Sequence, residues 1–220
     1  MNIKNDNQIL DMNDKLFQLL EQSKDIIHSK VERTLKQISV WKYATNEYYT
    51  AAPYSNELSN LPSGRIRKNI KEKDRLKIAG LYSFGFDRKE KILCSQEAPD
   101  NIESGVITDI YEYDSVLSYY VYHVRYKPNK YTSIISISYF YPYGNMRVFQ
   151  VVSLYKDWSV YLYCYNKEKV HQVKMYASSW EDVEEYNFSY RDDRLYEISG
   201  AKCKKNGEEN IIWKNRKLSL

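Results

Sequence analysis

The chain has 220 residues, 43% of them hydrophobic, with a formal net charge of +4. That is enough apolar material for a core, which excludes global disorder, and too little net charge to mark a nucleic-acid binder by itself. Seven glycines and five prolines leave no long flexible linker, and the length suits one large domain or one domain with a small helical appendage.

Tyrosine is the outlier, with 23 copies. Its ring favours strands and can be buried while the hydroxyl reaches water or a partner. The three cysteines, Cys94, Cys164 and Cys203, are far apart and form no CxxC, so a zinc ribbon, a thioredoxin-like site and a disulfide framework are not expected. The N-terminus opens polar, with acids at Asp6, Asp11 and Asp14, and lacks a basic-then-apolar signal pattern. The most apolar stretch, Ile134 to Tyr141, is too short and too polar to span a bilayer. The expected compartment is the cytoplasm, and no membrane association is expected. Abundant Asn, Lys, Ile and Tyr point to AT-rich codons and a low-GC bacterium.

In chain order, about Asn7 to Tyr43 reads as helix, so residues 1–45 form an expected N-terminal helical segment packed on a sheet built by the rest of the chain. Leu16, Leu19, Leu20, Ile27, Val31, Leu35 and Ile38 recur mostly at three- and four-residue steps. The stretch is one long helix or two with a break near Ser29. From Thr45 to Ser63 the pattern is irregular, punctuated by Ala51-Ala52-Pro53 and Leu61-Pro62-Ser63-Gly64.

From Arg65 to Lys77 there are seven basic residues (Arg65, Arg67, Lys68, Lys71, Lys73, Arg75, Lys77) against Glu72 and Asp74. The run is a solvated face or a docking patch for an acidic partner.

The rest of residues 46–220 turns strand-like and repeats. Each copy reads aromatic-x-aromatic, a short polar turn, then an apolar return strand. The copies begin Phe84-Gly85-Phe86, Tyr111-Glu112-Tyr113, Tyr141-Pro142-Tyr143, Tyr163-Cys164-Tyr165 and Phe188-Ser189-Tyr190, at steps of 27, 30, 22 and 25 residues. In the last three copies an apolar residue follows at +5 (Val148, Val170, Leu195) and another at +8 (Val151, Val173, Ile198). Aromatics two apart share a strand face, and Gly144-Asn145, Asn166-Lys167 and Asp192-Asp193 tolerate turn geometry. Asn206-Gly207 marks a further hairpin. The expectation is an α+β fold in which the helical segment covers an antiparallel meander of about ten tyrosine-rich strands, as a curved sheet or a partly closed barrel, in one structural domain.

The stretch Tyr190-Arg191-Asp192-Asp193-Arg194-Leu195-Tyr196-Glu197-Ile198 resembles the tyrosine-aspartate (YD) repeat unit of Rhs-type bacterial proteins. Trp180 to Phe188, leading into it, resembles segments of small bacterial immunity proteins found beside polymorphic toxins. The resemblance covers about residues 80 to 203. It departs from a YD unit at Arg194, where glycine is common. What it implies is a compact sheet and neutralisation of a cognate protein toxin. No functional residue carries over, because the repeat motif is a structural one.

No phosphate-binding glycine motif and no hydrolase elbow occurs. Across a hairpin turning at residues 166–169, Cys164 would face His171, a potential thiolate pair or simply two neighbours on a sheet. Glu181, Asp182, Glu184 and Glu185 form an acidic cluster just before a strand, without a histidine, and read as an exposed loop suited to partner recognition. The expected function is that of a non-catalytic immunity-type binding protein. Its contacts would come from Arg65, Arg67, Lys68, Lys71 and Lys73, and from Trp180, Glu181, Asp182, Glu184 and Glu185. No cofactor, metal or small-molecule ligand is expected. The alternative is a nucleic-acid-binding module using Tyr119, Tyr120, Tyr122, Tyr126 and Tyr131 beside Arg125, Lys127 and Lys130.

Overall fold

In the computed structural model, described for residues 3–62, 64–128, 130–180, 182–200 and 210–215, two helices precede one open antiparallel sheet. Asp6 caps α1 (Asn7–Ser23), its Oδ1 accepting from the Gln8 and Ile9 amides at 3.1 and 3.2 Å. A turn breaks the helical stretch before α2 (Ile27–Gln37), so there are two helices and the break lies just upstream of Ser29. Helix does not continue to Tyr43. Val40–Thr45 is strand β1, because Val40, Trp41 and Tyr43 suit a pleated surface and all six residues find partners.

The remaining elements are α3 (Ser55–Leu58), β2 (Arg65–Arg67), β3 (Leu81–Phe86), β4 (Ile92–Glu97), β5 (Val106–Tyr113), β6 (Tyr119–Lys127), β7 (Tyr131–Tyr143), β8 (Met146–Ser153), β9 (Trp158–Asn166), β10 (Lys169–Ala177), β11 (Glu184–Arg191), β12 (Arg194–Gly200) and β13 (Asn210–Lys214). The thirteen strands among the described residues, against about ten expected, run as a meander from β3 to β13. β1 pairs with β3, and β2 forms one edge. The sheet does not close into a barrel: β2 and β13 are its two edges. Asn206-Gly207 and Cys203 lie outside the described residues.

Both faces of the central strands are buried. One face carries Ile137, Tyr139, Tyr141, Val148, Val152, Val160 and Leu162 against Ile9, Leu16, Leu20, Ile27 and Val31 of the helices. The opposite face carries Phe140, Phe149, Tyr163, Val173, Phe188 and Ile198 against Ala51, Ala52, Tyr54 and Leu58. The segment between β1 and β2 is thus a strap across the second face.

Its length shows that the sheet bends. β1 and β13 are eleven strand intervals apart in the sheet order, or ~53 Å on a flat sheet at about 4.8 Å per strand. The ten residues from Thr45 to Ser55 span at most ~35 Å, yet α3 packs on β13. The strap therefore lies inside a curved sheet, with the helices outside.

The aromatic repeat marks hairpins throughout, but its copies are not equivalent. Bulges follow the turn in the β3–β4, β9–β10 and β11–β12 hairpins, at Leu93, His171 and Tyr196. Residues three apart normally face opposite sides of a strand; the bulge restores them to one side. Hence Val170 with Val173 sits on the strap face, whereas in the bulge-free β7–β8 hairpin Val148 meets the helices and Val151 the strap side. In that hairpin the aromatic pair also faces the helices. The Tyr143 hydroxyl donates to Asp6 Oδ2 at 2.5 Å, so the repeat's odd copy holds the N-cap of α1.

Asp192 and Asp193 both adopt left-handed backbone (φ 46 and 61), as a type I′ turn requires. Aspartate fills the place that glycine would take.

Tyr163 is fully buried and its hydroxyl has no hydrogen-bond partner among the described residues. Burial pushes its phenol well above the ordinary range. Removing an unsatisfied buried hydroxyl relieves a desolvation penalty, so Tyr163→Phe is expected to be neutral or to stabilise by up to about 1 kcal/mol in urea unfolding. A loss of more than about 1 kcal/mol would show that the hydroxyl is in fact satisfied.

Candidate functional site

Two polar arrangements stand out, one beneath the strap and one at the sheet edge. Under the strap, β4, β5 and β6 present Ser95, Asp109 and His123 in register on the inner face. His123 Nδ1 lies 2.7 Å from Asp109 Oδ1, and the Ser95 hydroxyl donates to Asp109 Oδ2 at 3.1 Å. Glu47 approaches from the strap. Burial foremost, then the negative charges of Asp109 and Glu97, push its carboxyl up to about 7; His123 and the Ala51 amide oppose the shift. Burial pulls the His123 imidazole down, but its bond to Asp109 and the charges of Asp109, Glu47 and Glu97 outweigh burial and leave it raised. Tyr82 is pushed up, by burial first and then by Glu97.

The order of the three groups is not that of a nucleophilic triad. A triad needs histidine between serine and carboxylate; here the carboxylate sits between the other two. Other polar ties run along the strap: Tyr119 donates to the Ala51 carbonyl at 2.8 Å, the Asn56 amide to the Glu47 carbonyl at 2.5 Å, and the Tyr54 and Tyr190 hydroxyls lie 3.3 Å apart. Among the described residues no group of three or more His, Cys, Asp or Glu side chains is placed to hold a metal.

At the sheet edge, Arg65, Ile66 and Arg67 form β2 and all three are exposed. Lys68, Lys71 and Lys73 continue the run, also exposed. None of Arg65, Arg67, Lys68, Lys71 or Lys73 forms an ion pair among the described residues, whereas Lys77 pairs with Asp74 at 3.3 Å. Arg75 does not belong to the solvated run. Its guanidinium stacks 4.0 Å from the Trp41 ring centroid and donates to Gln96.

Gly64 anchors the start of this edge. A Cβ there would lie 2.8 Å from the Thr45 carbonyl oxygen and 2.8 Å from the Tyr48 amide nitrogen. Only glycine lets the returning strap pass so close to the end of β1.

The acidic segment is not the exposed loop that its composition suggests. Glu184 and Glu185 lie within β11. Glu184 is buried and accepts from the Tyr186 hydroxyl, and Glu185 pairs with Lys174 at 2.7 Å. Alternation with Tyr186 and Phe188 draws them into the ladder. Asp182 is exposed, Trp180 is half-buried, and Glu181 lies outside the described residues. In the sheet order β11, which carries Glu184 and Glu185, stands ten places from the basic edge strand β2.

Cys164 does not face His171. The bulge at His171 sets Cys164 opposite Gln172, its Sγ 3.6 Å from Met146 Sδ, and burial pushes its thiol up. Cys94 is fully buried with its thiol pushed up by burial. Neither microenvironment favours a thiolate.

Most tyrosines of β6 are engaged internally. Tyr120 stacks on Tyr139 at 4.1 Å, Tyr122 lies beneath Lys30 at 3.7 Å, and Tyr126 donates to Glu32 of α2. Tyr119 and Tyr120 point to opposite faces, one to the strap and one to α1.

Among the described residues, no helix is long and apolar enough to cross a membrane. No family profile, no curated protein and no solved structure matches the chain.

Proposed function

We propose that this is a non-catalytic binding protein of the immunity type, which captures an acidic surface of a cognate bacterial toxin and occludes it. The observation that carries the reading is the cluster of five exposed cations at one edge of the sheet, Arg65, Arg67, Lys68, Lys71 and Lys73, none of them in an ion pair among the described residues. Cations left without internal partners add little to stability, but they speed and orient the capture of an acidic partner. The inward use of the β6 rings supports a protein partner over stacked bases, and the placement of Asp109 between Ser95 and His123, which leaves the serine without a histidine base, supports binding over turnover.

The test is a nuclease-treated affinity pulldown from the native cytoplasm, repeated with Arg65, Arg67, Lys68, Lys71 and Lys73 all changed to glutamate. One stoichiometric protein partner is expected. The reversed variant should hold it at least about a hundredfold more weakly, with most of the change in association rate and salt dependence. A partner held equally well by both forms would overturn the assignment of this patch. Loss of every partner on nuclease treatment would replace the reading with nucleic-acid binding.

A further inference from the structure

We infer that β2 is a docking edge: an extended partner segment, with acidic residues alternating with apolar ones, adds beside Arg65–Arg67 as a further strand. This rests on the protein-binding reading above and names the form of the partner's contact.

The edge is available and held in place. β2 is the last strand of the sheet, so among the described residues only one of its sides is paired, through Tyr43↔Arg67, Ala44↔Ile66 and Thr45↔Arg65. β1 in turn pairs with β3 over six residues, and Gly64 seats the start of β2 against the strap. At the other end of the sheet, β13 packs against α3.

The residues on β2 specify what fits. Successive side chains point to opposite faces, so Arg65 and Arg67 share one face and Ile66, 44% exposed, lies on the other. Residues directly opposite on a paired strand contribute most when charges are opposite or both are apolar. A strand added here therefore gains from carboxylates opposite Arg65 and Arg67 and an apolar side chain opposite Ile66. Lys68, Lys71 and Lys73 extend the positive field that attracts such a segment.

The same pattern argues against a second copy of this chain as occupant. Antiparallel pairing of two β2 strands centred on Ile66 sets Arg65 of one copy opposite Arg67 of the other, and like charges directly opposite destabilise a sheet. A short, basic edge resists pairing with itself while remaining open to an acidic strand.

The experiment is fluorescence anisotropy on the full chain with labelled peptides of alternating glutamate and valine. Controls are the same peptide N-methylated at alternate positions, a block-ordered peptide of equal composition, and an alternating lysine–valine peptide. The alternating acidic peptide is expected to bind, and both acidic controls at least about tenfold more weakly, the loss of one or two ladder hydrogen bonds. The R65E/R67E variant should lose the acidic peptide and gain the lysine–valine peptide.

Equal binding of all three acidic peptides overturns edge pairing in favour of a plain polyanion site, and a dimer of the free chain abolished by R65E/R67E overturns it in favour of a second copy. Absence of binding by every peptide also overturns it. The protein-binding reading is judged separately: a pulldown partner insensitive to R65E/R67E refutes the edge alone, while no protein partner at all refutes the reading beneath it.

Discussion

Gln150→Leu is expected to destabilise the protein by about 3 kcal/mol, although leucine nearly matches glutamine in volume. Gln150 is fully buried between β8 and α1. Its Oε1 accepts from the Tyr141 hydroxyl at 2.9 Å, and its Nε2 donates to the Ile9 carbonyl at 2.9 Å and to Asn13 Oδ1 at 2.7 Å. Tyr141 and Asn13 are themselves buried, so leucine strands both a hydroxyl and an amide oxygen. Each stranded group costs roughly 1–3 kcal/mol, partly offset by leucine's own burial. In a chain of this size the loss corresponds to a fall in Tm of about 10 °C. Adding Tyr141→Phe and Asn13→Leu removes the stranded groups, and the triple variant should recover most of the loss. A triple variant no better than the single one would show that packing, not hydrogen bonding, sets the cost.

The same contacts show what the sequence could and could not convey. Helical periodicity named Leu16, Leu20, Ile27 and Val31 as a buried face, and the aromatic spacing placed five hairpins, because both signals are local. The bulges at Leu93, His171 and Tyr196 are not local: each depends on which residue the neighbouring strand offers, so the Cys164–His171 register fails by one residue. Glu184 and Glu185 look like loop by composition, but their alternation with Tyr186 and Phe188 is strand-like. Glu47, Ser95, Glu97, Asp109 and His123 come together from a strap and three strands, separated by up to 76 positions in the sequence. The one local hint was Asp109 in mid-strand within Thr108-Asp109-Ile110, a charge where the flanking pattern asks for a buried position. The basic run was visible directly, since solvated surface cations need no tertiary partner; its place on a sheet edge was not.

Glu47→Gln is expected to leave stability near pH 5 almost unchanged and to raise it by about 2–3 kcal/mol at pH 8. The Glu47 carboxyl rises from an ordinary 4.5 to about 7 in the folded chain, and each unit corresponds to about 1.4 kcal/mol between protonation states. A raised folded-state value means that the folded protein holds the proton more tightly than the unfolded one. The contribution is complete below about pH 4.5 and is lost as the pH climbs through 7, where a charged carboxylate is held under the strap near Asp109 and Glu97. Glutamine can still accept the Ala51 amide, yet never ionises, so the variant escapes that loss. His123 works in the same direction. Its raised imidazole value, set by Asp109, Glu47 and Glu97 against burial, makes its contribution largest in acid and lost as the pH rises through that value. The wild-type strap should thus loosen between about pH 5 and pH 8, seen as lower amide-exchange protection, relative to the intrinsic rate at each pH, around Glu47–Asn56. In Glu47→Gln the His123 midpoint should fall, because one of the charges holding its proton is gone. Urea unfolding of both proteins at pH 5, 6.5 and 8 decides the matter: a stability difference that stays flat across that range would mean that Glu47 is solvated and that the strap is not held by its protonated form.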